Sequence, residues 1–273
     1  MKIKLPDYHL HTTLCNHAWG TMEDYVEHAI NIGLEEIGFA EHMPVMPEKH
    51  LCISYDDLPF YIERVKRLRD SYSDKITIKL GAEIDMNLDR VDEIESIIEN
   101  FEFDYVIGSI HYLDDWPFDQ IQYRNKFEKE NIDEIYKRFF ETIIRAARSG
   151  LYDIAGHIDN LKRMGYHPMS DMTDCYEQVA SVLQKVDVAI EINTSGYDYP
   201  AGESYPSTPF LRILNRYGVP VTFGSDSHRP EHVGRHFEKA YEVLKEAGYN
   251  SIAYFEGRKR IIKPVTSAFV IKE

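Results

Sequence analysis

Seven short apolar runs, each followed by a longer amphipathic stretch, constrain this 273-residue chain more than any other feature. The runs fall at 3–8, 36–40, 76–83, 105–110, 153–157, 188–193 and 219–225. Their length and β-branched content predict strands. The stretches at 21–32, 58–72, 88–100, 132–149, 172–185, 209–217 and 237–247 carry helical patterns. In the fourth of them, Ile132, Ile135, Tyr136, Phe139, Phe140, Ile143 and Ile144 mark one broad apolar stripe. Thr21 ahead of Glu23 and Asp24 suits a helix start, and Gly33, Gly150, Gly218 and Gly248 suit helix ends. Strand-then-helix units in series imply parallel strands with right-handed crossovers. Both an open doubly wound sheet and a closed barrel satisfy that rule.

Side-chain chemistry favours the barrel. Seven of the twelve histidines lie at or just after these runs: His9, His11, His17, His42, His111, His157 and His228. Glu83 and Asp226 end similar runs. Ligand-type residues thus close six of the seven predicted strands. In an open sheet the carboxyl ends spread along a line, whereas a barrel gathers them around one mouth. The expected architecture is therefore an α/β barrel spanning 1–273 as a single domain. Irregular segments at 44–55, 114–129 and 196–209 all follow strands and should rim that mouth.

Bulk properties narrow the partners. A net charge of −15 argues against a protein that tracks nucleic-acid backbone. No apolar stretch approaches membrane-spanning length, and the N-terminus lacks a signal-like apolar region. Cys15, Cys52 and Cys175 are few, odd in number and scattered, as in reduced cytoplasmic proteins. Cytoplasmic location, no nucleic acid and no membrane are the expectations.

The histidine spacing is itself informative. His9 and His11 are two apart, so an extended strand turns both rings to one face. Asp226 and His228 repeat that geometry after Gly224-Ser225. Imidazole and carboxylate are ligands of divalent transition metals. Singly, His42, His111 and His157 read equally well as structural histidines, but independent structural histidines have no reason to collect at strand ends. His28, His50, His167, His232 and His236 fall in helices or loops and read as solvated or packing residues, His50 and His232 being near enough to line the mouth. Tyr112, Trp116, Phe118, Tyr197 and Tyr199 sit in rim loops, where they pack the loops or wall a flat substrate ring.

Taken in order, His9-x-His11, His17, Glu41-His42, Glu83, His111, His157 and Gly-Ser-Asp226-Ser-His228 resemble the polymerase and histidinol phosphatase (PHP) superfamily. The likeness spans nearly the whole chain. The segment Trp116-Pro-Phe-Asp119 and the runs 191–196 and 224–234 are most similar to the histidinol-phosphate phosphatase branch. The resemblance implies a distorted (β/α)7 TIM-like barrel and three divalent metal ions, of zinc, iron or manganese. It implies that His9, His11, Glu83 and Asp226 hold the first ion. Glu83 bridges to a second, shared with His111 and His157, and His17, His42 and His228 hold the third. The sequence departs from the branch where an arginine is expected after Thr194-Ser-Gly196, since Tyr197-Asp198-Tyr199 stands there. After His157 it offers Lys162 and Arg163.

The expected partner is a small phosphate ester, most specifically L-histidinol phosphate, with hydroxide held between metal ions as the nucleophile. Glu83, Asp226 and His228 are the expected catalytic groups. Arg229, Lys162 and Arg163 are expected to meet the phosphate, and Trp116, Asp119, Tyr197 and Asp198 the cationic, aromatic remainder. Three divalent ions bring about +6 to the pocket, which reconciles an anionic substrate with an acidic chain. The alternatives are a phosphatase for another small monoester, such as a sugar phosphate or nucleotide, a C–N bond metallohydrolase, and a non-catalytic metal-binding module.

Overall fold

Parallel strands form the centre of the computed structural model, which describes residues 2–265 and 269–270. They are β1 Asp7–Leu10, β2 Glu36–His42, β3 Thr77–Asp85, β4 Tyr105–Ser109, β5 Ile154–Ala155, β6 Ala189–Asn193 and β7 Val221–Gly224. Each pairs with the next in sequence, and every pairing is parallel. The first and last strands then meet. Leu10 bridges Ser227, the His11 amide donates to the Ser227 carbonyl at 2.9 Å, and the Ser227 amide donates to the His9 carbonyl at 2.9 Å. The result is a nearly closed seven-stranded barrel ringed by helices, the architecture expected from ligand-type residues at the strand ends.

Local sequence explains how the ring is held. The helix Met22–Ile32 starts at a capping box in which Thr21 and Asp24 satisfy each other's backbone amides, and stops at Gly33 in the left-handed region. The helix Ile132–Ala147 turns Ile135, Tyr136, Phe139, Phe140 and Ile143 into the core. Inside the barrel, the floor is filled by Tyr105 with Tyr8, Ile107, Ile154, Ala189 and Phe255. A Cβ on Gly38 or Gly81 would come within 2.1 or 2.3 Å of the Tyr105 side chain, so these two glycines make room for that plug. With an apolar floor, polar strand residues gather at the opposite, carboxyl-terminal end.

Two elements differ from the sequence expectation. The first predicted strand, at 3–8, is divided: Pro6 has no amide to give to a ladder, so Lys2–Ile3 pairs with Phe269–Val270 and the barrel strand begins at Asp7. An antiparallel hairpin, Ser251–Glu256 with Lys259–Pro264, follows the last helix and was not anticipated. It supports the barrel floor, where the Phe255 amide donates to Tyr8 Oη at 3.2 Å and Arg258 pairs with Asp153. No helix among the described residues is long and apolar enough to cross a membrane.

Candidate metal centre

At the carboxyl-terminal end, β1 supplies His9 and the adjoining His11, β2 supplies His42, and β3 supplies Glu83. His111 and His157 follow β4 and β5, and Asp226 and His228 follow β7. All nine predicted ligands converge. Glu83 is the hub. One of its oxygens lies 3.3 Å from His9 Nε2, 3.5 Å from His11 Nε2 and 2.7 Å from His42 Nδ1. The other lies 3.1 Å from His157 Nε2 and 3.6 Å from His111 Nε2. Asp226 Oδ1 stands 3.4 Å from His11 Nε2. Beside them, His17 Nε2 and His228 Nε2 are 2.9 Å apart, and His42 completes that group.

The carrying observation is how the rings are oriented. His9 Nδ1 donates to Glu191 at 2.6 Å, His11 Nδ1 to Glu41 at 3.2 Å, and His111 Nδ1 to Asp85 at 2.9 Å. His17 Nδ1 donates to the Cys15 carbonyl at 2.8 Å and His228 Nδ1 to the Asp226 carbonyl at 3.2 Å. An imidazole that gives its Nδ1 proton to an oxygen presents a lone pair at Nε2, which is how metal-binding histidines are held. Buried His9 Nε2, His11 Nε2 and Glu83 Oε2 have no hydrogen-bond partner. Folded proteins pair the great majority of their buried polar atoms, so three orphans gathered in one cage point to a missing partner. Donor atoms around a tetrahedral ion at about 2.1 Å stand roughly 3.4 Å apart, close to the spacings in this cage. The residues present therefore fit divalent ions.

The cage divides into two electrostatic halves when its side chains are taken alone. Burial disfavours a charged imidazole, but Glu191 and Glu83 outweigh it at His9 and raise it well above its ordinary range. Burial is likewise overcome at His11 by Asp226 and Glu41, giving about 9, and at His111 by Glu83 and Asp85, giving about 10. At His42 burial prevails and the ring falls to about 4. Burial and the neighbouring His11 also lower His17 and push His228 well below the usual value. Despite their own burial, Glu83 and Asp226 are held well below the carboxylate range by the surrounding rings. Both are ionised at neutral pH.

Above the cage opens a cavity of about 540 Å³. Arg163, Arg229 and Asp119 line it, as expected, and so do His50 and His232. Four other expected substrate residues lie elsewhere. Lys162 is buried, with Nζ 2.9 Å from Asp159, 2.8 Å from Glu203 and 2.9 Å from the Ser204 carbonyl, so its charge is consumed inside the protein. Trp116 is buried against Phe127, 4.6 Å between ring centres, its indole N–H donated to the Tyr123 carbonyl. Tyr197 packs beside His236, and Asp198 is paired with Arg235 and His236. Of the rim aromatics, Tyr112 and Tyr199 do wall the cavity, whereas sequence reasoning did not single out Arg235 or Ser195 as wall residues, nor the orienting roles of Asp85, Glu41 and Glu191. A carboxylate in the middle of the apolar run 188–193 was the available signal for Glu191, because an unpaired one there is costly. A wider surface groove of about 1020 Å³, between the helices Ile132–Ala147 and Thr173–Val186, contains none of the caged imidazoles.

The PHP domain model matches residues 7–195, and a second model, PHP-associated, matches residues 211–246. The chain belongs to the PHP domain family. This PHP protein is 33% identical over 264 residues to the probable histidinol-phosphatase of Deinococcus radiodurans, covering 95% of this chain and 99% of that one. It is 29% identical to the histidinol-phosphatase of Lactococcus lactis, covering 94% and 96%. The crystal structure of the Lactococcus lactis histidinol phosphate phosphatase, complexed with zinc, L-histidinol and phosphate, matches this PHP fold with a TM-score of 0.80 and 27% identity. It covers 94% of this chain and 99% of that one.

Proposed function

We propose that this PHP protein hydrolyses L-histidinol phosphate to L-histidinol and phosphate, as a step of histidine biosynthesis in the cytoplasm. The whole chain acts as one catalytic unit. Support comes from the five cage rings anchored at Nδ1, three of them against Glu83, and from relatives of that name matching over nearly their full length. Three free thiols agree with a reducing compartment.

His9, His11, Glu83 and Asp226 would hold one divalent ion, Glu83, His111 and His157 a second, and His17, His42 and His228 a third, with zinc favoured by the complexed neighbour. Such ions supply an activated water and neutralise charge on the phosphoryl group. The protein's own groups do the rest. Asp226, ionised and steadied by Ser195 Oγ at 3.3 Å, is placed to accept the proton of the attacking water. Arg163, whose Nε is buried without a partner, offers a fork for phosphate oxygens, and Arg229 adds a cation at the mouth. Asp119, 3.6 Å from Arg163, is an acid of the cavity wall outside the cage and would meet the substrate's ammonium group.

Phosphate release from L-histidinol phosphate, sugar phosphates and nucleotides, measured on zinc-loaded protein, tests the proposal. The expected result is the highest kcat/KM for histidinol phosphate. A sugar phosphate or nucleotide turned over as well or better would transfer the same chemistry to another substrate.

A further inference from the structure

Asp226 adopts a backbone φ of 52°, in the left-handed region that is uncommon for residues other than glycine, though aspartate enters it more readily than most. Contacts on both sides of the turn 225–228 hold it there. On one side buried Asp7 accepts the Ser225 amide at 2.8 Å and the Gly234 amide at 2.8 Å. On the other stands Arg235, on the loop ahead of the helix Phe237–Glu246. Its Nε donates to the Ser225 carbonyl at 3.1 Å and its Nη2 to the Asp226 carbonyl at 3.2 Å. Its Nη1 reaches Asp198 Oδ2 at 2.9 Å and His232 Nδ1 at 3.2 Å. Asp198 in turn takes His236 Nε2 at 2.7 Å, and belongs to the loop whose Ser195 steadies the Asp226 carboxylate.

We infer that Arg235 is a positioning residue, which aims the Asp226 carboxylate by bolting the turn 225–228 to the loop carrying Ser195 and Asp198. The inference rests on the metal-centre reading above. Arg235 borders the cavity, so direct contact with substrate phosphate is the competing role. A guanidinium has five N–H groups. Four are already directed at Ser225, Asp226, Asp198 and His232, which leaves little for a bidentate grip on phosphate. Lysine carries a point charge and cannot span two carbonyls and a carboxylate together.

The test compares the zinc-loaded full-length chain with Arg235→Lys, Asp198→Asn and the double variant. Zinc retained after dialysis against a weak chelator is measured beside kcat and KM for L-histidinol phosphate and inhibition by inorganic phosphate. Arg235→Lys should lose about tenfold or more in zinc affinity or kcat, the usual effect of removing a group that orients a metal ligand. KM should stay within about threefold, and Asp198→Asn should move the same readouts less. Since both changes weaken one connection, the double variant should fall short of the summed single effects. A rise in KM and weaker phosphate inhibition, with zinc retention and kcat unchanged, would overturn the inference in favour of substrate contact. Wild-type values throughout would overturn it outright. Should Arg235→Lys fail to fold by circular dichroism, Asp198→Asn decides, because it leaves both backbone contacts in place. Zinc retention needs no substrate, so failure of the histidinol phosphate assignment would leave that readout intact.

Discussion

Replacing Glu191 by glutamine changes no shape but removes one charge and one acceptor, and the consequence follows from its contacts. One carboxylate oxygen takes His9 Nδ1 at 2.6 Å; the other takes the His157 amide at 3.1 Å and Asn193 Nδ2 at 3.0 Å. An amide turned with its NH2 towards His9 requires that ring to accept at Nδ1. The proton then moves to Nε2, the atom 3.3 Å from Glu83 that a metal ion needs free. Turned the other way, the NH2 faces two donors and leaves them unsatisfied, at roughly 1–3 kcal/mol each. Either arrangement weakens the first ion's site, so Glu191→Gln should lose about 10–100-fold in zinc affinity or turnover. Tenfold corresponds to about 1.4 kcal/mol. Isothermal titration of chelator-treated protein with zinc, beside phosphate-release kinetics, reads both. A Glu191→Gln protein that binds zinc and turns over within about twofold of wild type would show that His9 is not oriented in the way described.

Other consequences can be measured with the same preparations. Glu83→Ala removes the hub shared by His9, His11, His42, His111 and His157, and should abolish turnover together with most of the bound metal by elemental analysis; near-normal activity would contradict the shared-ligand role. His9, His11 and His111 hold protons at neutral pH in the absence of metal, so zinc binding should release protons and tighten as pH rises towards 9–10. Because the folded values at His11 and His111 lie above the ordinary one, their stabilisation of metal-free protein is complete below about pH 6.5. It is lost as pH climbs through about 9 and about 10. Thermal melts of metal-free against zinc-loaded protein at several pH values check the sign, and a metal-free melting point that rises over that window would refute it. Lys162→Met leaves Asp159 buried without its cation and should cost about 3–5 kcal/mol of stability in urea unfolding. Arg163→Lys should instead raise KM while the urea midpoint stays put. An effect of Lys162→Met confined to KM would restore Lys162 to the phosphate site.

The convergence of the candidate metal ligands was legible because two signals coincided. A strand-length run fixed where each residue would sit, and its imidazole or carboxylate had no reason to stand at a strand end unless the ends met. Orienting partners gave no such signal. Glu41, Asp85 and Glu191 act at the Nδ1 side of rings 30, 26 and 182 residues away, and no spacing rule links such pairs. Lys162 and Arg163 show the limit within two adjacent positions. Both belong to the 3-10 turn Asn160–Met164, yet one points into an ion pair with Asp159 and the other into the cavity. Trp116 and Tyr197 were placed correctly in rim loops, but rim loops need cores of their own, and these rings supply them. The hairpin beneath the barrel lay outside the strand–helix alternation, so the pattern that revealed the barrel did not foresee it.

The central claim is that residues from His9 to His228 form one cage whose bound ions drive phosphoester hydrolysis. Its most direct test is to titrate metal-depleted protein with zinc while following phosphate release from L-histidinol phosphate. Release should be negligible without metal and should rise to a plateau near about three equivalents. Full turnover by protein carrying no metal, or a fully loaded protein that releases no phosphate from any monoester, would contradict the account.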